Sequence, residues 1–157
     1  MHITSIQTSE DAAVAGLIRQ SLEAEGLAIP GTAYFDPQLD HLTSYYADLD
    51  RSAYFIGKVD GQVVACGGFG PVTDEICELQ KLYVDVAFRR QGLARQLLEV
   101  IEDAARQSGY SQIYLETTGR LEAAHQLYQQ CGYSQLSKPI ANDAGHHSMD
   151  LWMIKDL

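Results

Sequence analysis

The sequence predicts an α/β (α+β) fold in which a mixed sheet is flanked by helices. Two segments rich in β-branched and aromatic residues meet at Asp60-Gly61, a dipeptide typical of tight hairpin turns. Further along the chain, a strand-like segment over 76–86 precedes a segment with helical spacing of apolar residues over 92–107, and a second strand-like segment covers 112–116. Antiparallel hairpins combined with strand–helix–strand crossovers produce a mixed sheet with helices on its faces.

The first half of the chain contains three predicted strands and two predicted helices. A short strand over 2–6 precedes a helix over 11–25. A second helix starts with Asp36-Pro37 and runs through 47, because proline is tolerated in the first helical turn. The hairpin strands cover 53–59 and 62–69, with Gly67-Gly68 ending or bulging the second of them. The later elements are a central strand over 76–86, a helix over 92–107, a strand over 112–116, a helix that stops at Cys131-Gly132, and strands over 133–136 and 147–154.

Composition restricts the class of protein. The 157 residues, 46% of them apolar, favour one domain over 1–157 with its own core. No apolar run approaches the roughly 20 residues that span a bilayer, and the N-terminus lacks the pattern of a signal peptide. We therefore expect a cytoplasmic protein without a membrane partner. The net charge of −10 disfavours nucleic acid as a partner and is compatible with a cationic substrate such as an amine, or with solubility alone.

The cysteines and histidines do not form the pattern of a metal site. Cys66, Cys77 and Cys131 are scattered, which argues against a disulfide framework and a zinc site and favours reduced, mostly buried thiols. His146 and His147 are adjacent, and adjacent strand residues face opposite ways, so a metal held by both is disfavoured. One of these histidines could line an acceptor pocket; a polar pair at the end of a loop is the simpler interpretation.

The turn over 89–95, Arg-Arg-Gln-Gly-Leu-Ala-Arg, is the strongest functional signal. It opens a predicted helix, so unpaired backbone N–H groups lie at the positive end of the helix dipole and can bind an anion such as a phosphate. Glycine at 92 lets a ligand approach the backbone closely, and the arginine side chains are candidates to face its phosphates. A plain helix start beside solvated arginines is the alternative. The predicted anion-binding residues are Arg89, Arg90, Gln91, Gly92, Leu93, Ala94 and Arg95.

The pattern Arg89-x-x-Gly92-x-Ala94 resembles the pyrophosphate-binding signature of the GNAT (Gcn5-related) acyl-CoA N-acyltransferases. The resemblance extends from Glu78 to Tyr133, through a strand, the turn, a helix, a strand and a helix that ends in Leu-Tyr-Gln-Gln-Cys-Gly-Tyr. It implies a mostly antiparallel sheet whose central strand splays from the next, with acetyl-CoA as acyl donor in the gap. An asparagine that the family often carries early in the last helix is missing from 119–124.

The resemblance also assigns roles on the central strand. Backbone groups of Leu82, Tyr83 and Val84 would pair with the pantetheine amides of the donor. Glu78 is the candidate general base, because an ammonium substrate must lose a proton before its nitrogen attacks a thioester. If no bulge intervenes, Glu78 lies on the same side of the strand as Gln80, Leu82 and Val84. An ordinary solvated glutamate is the alternative, with Asp74 and Glu75 as nearby rival bases.

Tyr128 matches the family's tyrosine in the last helix and is the candidate general acid. A phenol with a pKa near 10 stays protonated at neutral pH and can donate a proton to the departing thiolate. From periodicity alone, Tyr128 belongs to an apolar helix face with Leu121, Ala124 and Leu127, so packing is the alternative.

The expected function is N-acetyl transfer from acetyl-CoA to a primary amine, directly within a ternary complex. No cysteine has a setting that suggests an acyl-enzyme. An inactive acyl-CoA-binding sensor of the same fold is one alternative. An unrelated nucleotide-binding domain is another, disfavoured because the Gly-x-x-x-x-Gly-Lys-Ser/Thr and Gly-x-Gly-x-x-Gly motifs are missing.

The acceptor stays open among an antibiotic amine, an amino acid, a polyamine and a protein N-terminus. The N-terminal helical region and the loop over 137–147 are expected to select it, and homodimers are common in the family. The aromatic residues of that helical region could form a wall of the acceptor site, although packing is the simpler role for most: Tyr34, Phe35, Tyr45 and Tyr46.

Overall fold

The computed structural model describes residues 1–140 and 147–157, and this part of the chain contains seven strands and four α-helices. The sheet lies between the helices, as the sequence predicts. In chain order the elements are β1 (His2–Ser5), α1 (Asp11–Ala24), α2 (Leu42–Asp48), β2 (Ala53–Val59), β3 (Gln62–Pro71), β4 (Ile76–Val84), α3 (Leu93–Gln107), β5 (Gln112–Thr117), α4 (Glu122–Gln130), β6 (Ser134–Leu136) and β7 (Leu151–Asp156).

The sheet has the strand order β1-β2-β3-β4-β5-β7-β6. Among the strands described, only β4 and β5 pair in parallel, so the predicted mixed and mostly antiparallel sheet is confirmed. The parallel pairing covers only Ile76–Glu78 against Gln112–Tyr114, although β4 continues to Val84 and β5 to Thr117. The two central strands therefore separate after Glu78, which confirms the predicted splay.

The core lies on both faces of the sheet. Apolar side chains of α1 recur three and four positions apart, so they form one stripe that packs on the sheet. Fully buried residues on this side include Val14, Ile18, Leu39, Leu42 and Ile56. The stripe of α3 covers the opposite face, where the buried residues include Phe69, Leu97, Leu98, Ile101 and Ile113. Every helix in the described part of the chain is too short or too polar to cross a membrane.

A bulge interrupts β4 in its middle. Cys66 pairs with Tyr83 and Gly68 with Gln80, so Lys81 and Leu82 together lie opposite the single residue Gly67. Lys81 has a φ of 52°, in the left-handed region that a residue with a Cβ rarely adopts. The bulge at Gly67-Gly68 confirms one of the two predicted outcomes there, and β3 continues past it to Pro71.

This bulge shifts which side of the sheet the residues of β4 face. Leu79 before the bulge and Leu82 after it both pack on the α3 side, whereas Tyr83 packs with the cluster under α1 and α2. Glu78 was expected to share a side with Leu82 and Val84 only if no bulge intervened; because a bulge does intervene, Leu82 and Val84 lie on the other side. One extra residue reverses the alternation of a strand, and the sequence does not mark it with a glycine at the left-handed position.

Three predicted boundaries also differ. The second helix begins at Leu42 rather than at Pro37, because the preceding 3-10 turn Leu39–His41 ends in His41, whose φ of −141° and ψ of 43° are not helical. The central strand ends at Val84, and a 3-10 turn follows because the Asp85 side chain accepts a hydrogen bond from the N–H of Ala87 at 2.9 Å. The last strand begins at Leu151 rather than at 147, since Ser148 is hydrogen-bonded to the loop after α1.

Replacing Gly68 by alanine is expected to lower the free energy of unfolding by about 2 kcal/mol or more. An added Cβ would lie 2.3 Å from the Ala53 carbonyl oxygen and 2.9 Å from the Tyr54 Cα, both backbone atoms that cannot move aside. Urea unfolding followed by circular dichroism measures the effect. Gly16→Ala in α1 is the matched control, because no atom lies within 4 Å of its added Cβ; there, alanine should stabilise by about 0.5–1 kcal/mol. Equal midpoints for the two variants would contradict the packing described.

Candidate active site

A cavity of about 950 Å³ occupies the gap where β4 and β5 separate. Its walls come from the end of α1, the second half of β4, the turn before α3, β5 and α4. Glu78 and Tyr128, the two candidate catalytic residues, both line it. Gln91 does not: its side chain is exposed outside the cavity. The predicted donor-binding residues that line the cavity are Leu82, Tyr83, Val84, Arg89, Arg90, Gly92, Leu93, Ala94 and Arg95.

Main-chain groups along one edge of β4 face this cavity. Beyond the bulge, Tyr83 and Val84 pair with β3 on the other edge. On the edge that faces β5, no residue of the described chain pairs with β4 after Glu78. An extended ligand with amide groups can hydrogen-bond to such an edge as an additional strand would.

The turn before α3 presents backbone N–H groups to the same cavity. Gly92 is the N-cap of α3, and the first helical hydrogen bond runs from the N–H of Gln96 to its carbonyl. The preceding N–H groups of α3 therefore have no acceptor within the helix. Arg90 and Gly92 have positive φ values of 63° and 76°, which curve the turn. Among the described residues, no atom apart from those of the adjoining residues lies within 4 Å of the position of a Gly92 Cβ, so the space in front of the turn is open.

The arginine side chains of the turn have protein partners. The Arg89 guanidinium contacts the Glu25 carboxylate at 2.5 Å and the Val84 carbonyl oxygen at 3.2 Å. Arg95 donates to the Gln130 side chain at 3.3 Å. Arg89 therefore connects the turn to the end of α1. Its positive charge still adds to the field at the turn.

Glu78 lies at the closed end of the gap, because it is the last residue of β4 that pairs with β5. Its side chain is buried, and its Oε2 accepts a hydrogen bond from the Gln80 amide at 2.9 Å. The Gln80 amide oxygen in turn accepts from the Tyr46 hydroxyl at 2.7 Å. This chain of hydrogen bonds orients the Glu78 carboxylate. The rival bases Asp74 and Glu75 are exposed in the turn between β3 and β4 and do not line the cavity.

Several residues of the site were not found from the sequence. Glu116 of β5 lines the cavity and accepts a hydrogen bond from the Tyr114 hydroxyl at 2.9 Å. Alternation along β5 places Tyr114 and Glu116 on one face, and this pattern is visible in the sequence. Lys81 lines the cavity as well, and its ammonium contacts the Asp36 carboxylate at 2.6 Å. That pair joins two distant parts of the chain, so local sequence gives no sign of it.

Tyr128 reaches the cavity from α4. Its ring packs beside that of Tyr133, with 5.6 Å between the ring centroids, so the predicted packing role also holds. Burial raises the pKa of the Tyr128 hydroxyl above its ordinary value of 10.0. The hydroxyl therefore remains a proton donor throughout the neutral range.

The aromatic residues of the N-terminal helical region do not form a wall of the cavity. Among the described residues, Tyr34, Phe35, Tyr45 and Tyr46 contribute no side chain to the cavity lining, and Tyr46 acts on the site only through Gln80. Tyr34 donates to Glu23 at 2.6 Å, and Phe35 is 60% exposed.

The predicted features of the histidines and cysteines have mixed outcomes. His147 is exposed and stands outside the cavity lining, and His146 lies outside the described residues.

The three cysteines are free thiols. Cys66 and Cys77 are buried, which confirms the predicted burial for these two, and Cys131 is half-buried. Burial raises the pKa of Cys66 and of Cys77 to about 12, so neither is an activated nucleophile. Within 1–140 and 147–157, no group of three or more potential ligands could hold a metal ion.

Comparison with known proteins agrees with this geometry. The model of the acetyltransferase (GNAT) family matches residues 23–133. YjgM of Escherichia coli (strain K12), described as an uncharacterized N-acetyltransferase, is 36% identical over 152 residues, which cover 94% of this chain and 90% of the relative. A GNAT-family acetyltransferase from Staphylococcus aureus Mu50 has the same fold, with a TM-score of 0.85, 16% identity and coverage of 99% and 98% of the two chains.

A further solved structure shares the fold and holds a ligand. It is the PaiA N-acetyltransferase of Thermoplasma acidophilum in complex with coenzyme A, with a TM-score of 0.77, 14% identity and coverage of 99% of this chain and 98% of that one. The family match covers most of the chain, and the relative from E. coli extends it to nearly the whole length. This chain belongs to the GNAT family of acetyltransferases and is an N-acetyltransferase.

Proposed function

We propose that this protein transfers the acetyl group of acetyl-CoA to a primary amine, directly and within a ternary complex. The observation that carries the proposal is that one cavity contains the open turn before α3, the edge of β4 beyond its pairing with β5, and the side chains of Glu78 and Tyr128. Coenzyme A requires a site for its phosphates and an edge that pairs with its amides. Reaction of its thioester with an amine requires groups that accept and donate protons.

The donor is proposed to lie along the gap. Its pyrophosphate would accept hydrogen bonds from the backbone N–H groups of 90–95, where the helix dipole is positive. Its pantetheine arm would pair with Leu82, Tyr83 and Val84, and the acetyl group would then point toward Glu78. The coenzyme A held by the structurally similar PaiA protein supports coenzyme A as the carrier.

The chemistry removes two protons from the amine nitrogen and adds one to the departing sulfur. Glu78 accepts a proton from the ammonium, directly or through water, and the freed nitrogen attacks the thioester carbonyl carbon. The negative charge on the carbonyl oxygen is held by an N–H of the central strand. The C–S bond then breaks, the acetyl group stays on nitrogen, and Tyr128 gives its proton to the thiolate. The nitrogen, which became positively charged on attack, loses its second proton to water, and Tyr128 regains a proton from solvent, so that one proton is released overall. A covalent acyl-enzyme is disfavoured because burial keeps the thiols of Cys66 and Cys77 protonated.

The acceptor is proposed to be a cationic amine. Glu78 and Glu116 both line the cavity and can pair with a positively charged group, whereas most of the basic lining residues lie in or beside the turn before α3. The net charge of −10 adds a general attraction for cations. Residues 1–157 would act as one domain in the cytoplasm, where free thiols such as those found here persist. The reaction as written uses no metal.

Initial velocities of thiol release, with acetyl-CoA and an active amine both varied, test direct transfer. A panel of antibiotic amines, amino acids, polyamines and peptides first identifies the amine. A ternary complex predicts double-reciprocal lines that intersect, whereas parallel lines would indicate a covalent intermediate. Acetyl-CoA binding without thiol release for any amine would favour the sensor of the same fold. Tight ATP or NAD binding without coenzyme A binding would overturn the donor assignment.

Tyr128→Phe is expected to lower kcat by roughly 10²-fold while the Kd for acetyl-CoA stays nearly constant, because only the proton donor is lost. Since burial raises the pKa of Tyr128 above 10.0, wild-type kcat should show no loss from this group below pH 10.0. Tyr133→Phe is the matched control: its hydroxyl donates to Glu102 at 2.9 Å, so its loss should reduce stability and spare turnover. Equal kcat for Tyr128→Phe and the wild type would remove Tyr128 as the acid.

A further inference from the structure

The bulge of β4 is held in place by contacts from three directions. Its left-handed residue is a lysine, and a non-glycine residue in this conformation costs about 1–2 kcal/mol unless its surroundings maintain it. The carbonyl oxygen of Lys81 accepts a hydrogen bond from the buried Tyr54 hydroxyl at 2.9 Å. Opposite the bulge, Gly67 leaves room, because a Cβ there would lie 2.9 Å from Leu82 Cδ1 and 3.3 Å from Leu82 Cα.

The third contact is an ion pair on the cavity side. The Lys81 ammonium lies 2.6 Å from the Asp36 carboxylate, and the two side chains are only 4% and 12% exposed. A charge that is so well shielded from water is stable only when it is paired. Asp36 belongs to the segment between α1 and α2, which lines the cavity through Thr32 and Ala33. The ion pair therefore connects the segment between α1 and α2 to the middle of β4.

Because of where the bulge lies, the ion pair between Lys81 and Asp36 affects the placement of the reacting groups. Glu78 lies before the bulge and the donor-binding edge at Leu82–Val84 lies after it, on the same strand. The backbone turn at Lys81 thus sets how the base is placed relative to the thioester. A misplacement of about 1 Å between reacting groups can cost about 10²-fold in rate.

We propose that Lys81 is a positioning residue: its ion pair with Asp36 holds the β4 bulge, and the segment between α1 and α2 that lines the cavity, in the geometry that transfer requires. The inference depends on the proposed N-acetyl transfer. It assigns no contact between Lys81 and the reacting atoms; Lys81 acts through the placement of Glu78 and of the donor-binding edge.

The double variant Lys81→Gly/Asp36→Asn tests this inference. Glycine adopts the positive φ without strain, and asparagine avoids leaving a buried carboxylate unpaired, so the fold should survive. We expect a kcat roughly 10- to 100-fold below the wild type, with the Kd for coenzyme A within about threefold, because the turn before α3 is untouched. Lys81→Arg keeps the cation and should retain kcat within about tenfold.

Thermal unfolding, coenzyme A titration and kcat, measured on the same preparations, separate positioning from stability. Wild-type kcat in the double variant would overturn the inference, as would a kcat that falls only in proportion to the folded fraction. A wild-type protein that acetylates no amine would instead contradict the proposed N-acetyl transfer. A failure of the positioning role is distinguishable from this, because it appears only in the comparison of an active wild type with the double variant.

Discussion

Replacing Gly92 by glutamate is expected to raise the Kd for acetyl-CoA at least about 100-fold, a loss of roughly 2.7 kcal/mol, while the fold survives. The new carboxylate would occupy the phosphate position at the positive end of α3 and repel the donor's pyrophosphate. The fold survives because no atom lies within 4 Å of the added Cβ, although the φ of 76° adds strain of about 1–2 kcal/mol. Calorimetric titration with acetyl-CoA measures the affinity.

The hairpin provides a matched control for this substitution. Gly61, in the turn between β2 and β3, also has a positive φ, 81°, and no atom within 4 Å of its Cβ position. Gly61→Glu therefore adds the same charge and a similar strain away from the cavity, and acetyl-CoA affinity should be unchanged. If Gly92→Glu bound acetyl-CoA as tightly as Gly61→Glu does, the turn could not be the phosphate site.

Replacing Glu78 by glutamine is expected to lower kcat by about 10²- to 10⁴-fold with little change in acetyl-CoA affinity. The amide has the shape of the carboxylate and can still accept the hydrogen bond from Gln80, but it cannot take a proton from an ammonium. The defect should shrink as the pH approaches about 10, where an alkylamine acceptor loses its own proton. The pH profile of kcat for both proteins measures this recovery.

Glu75→Gln is the control for Glu78→Gln. Glu75 is an exposed carboxylate three residues away in the β3–β4 turn, so its loss should leave kcat unchanged. A Glu78→Gln enzyme with wild-type kcat near neutral pH would show that another group or a chain of water molecules removes the proton.

Features that depend on contiguous residues could be predicted from the sequence. The turn over 89–95 combines a glycine, a helix start and arginines within one segment, and the structure places it on the cavity. The hairpin at Asp60-Gly61 and the helix over 92–107 likewise follow from local turn chemistry and helical periodicity. The splay of β4 and β5 was implied by family resemblance, because hydrophobic pattern alone does not show where strand pairing ends.

Features that depend on distant contacts could not be predicted. Lys81 adopts the left-handed conformation because Asp36 and Tyr54 hold it, and both lie far away in the sequence. The orientation of Glu78 likewise depends on Tyr46 through Gln80. Such contacts form only when the helical segment packs on the sheet. The late start of α2 is a similar case: the carboxylate of Asp11 accepts hydrogen bonds from the N–H and the hydroxyl of Thr43 in the first turn of α2, at 2.9 and 2.8 Å, across 32 residues of sequence.

The cavity between β4 and β5 is proposed to transfer an acetyl group from acetyl-CoA to the nitrogen of an amine. Mass spectrometry of an amine panel, incubated with acetyl-CoA that is isotopically labelled in its acetyl group, tests it most directly. We expect a labelled amide on at least one amine with the wild-type protein and a much smaller amount with Gly92→Glu at the same acetyl-CoA concentration. Wild-type protein that binds acetyl-CoA in a calorimeter yet labels no amine would contradict it.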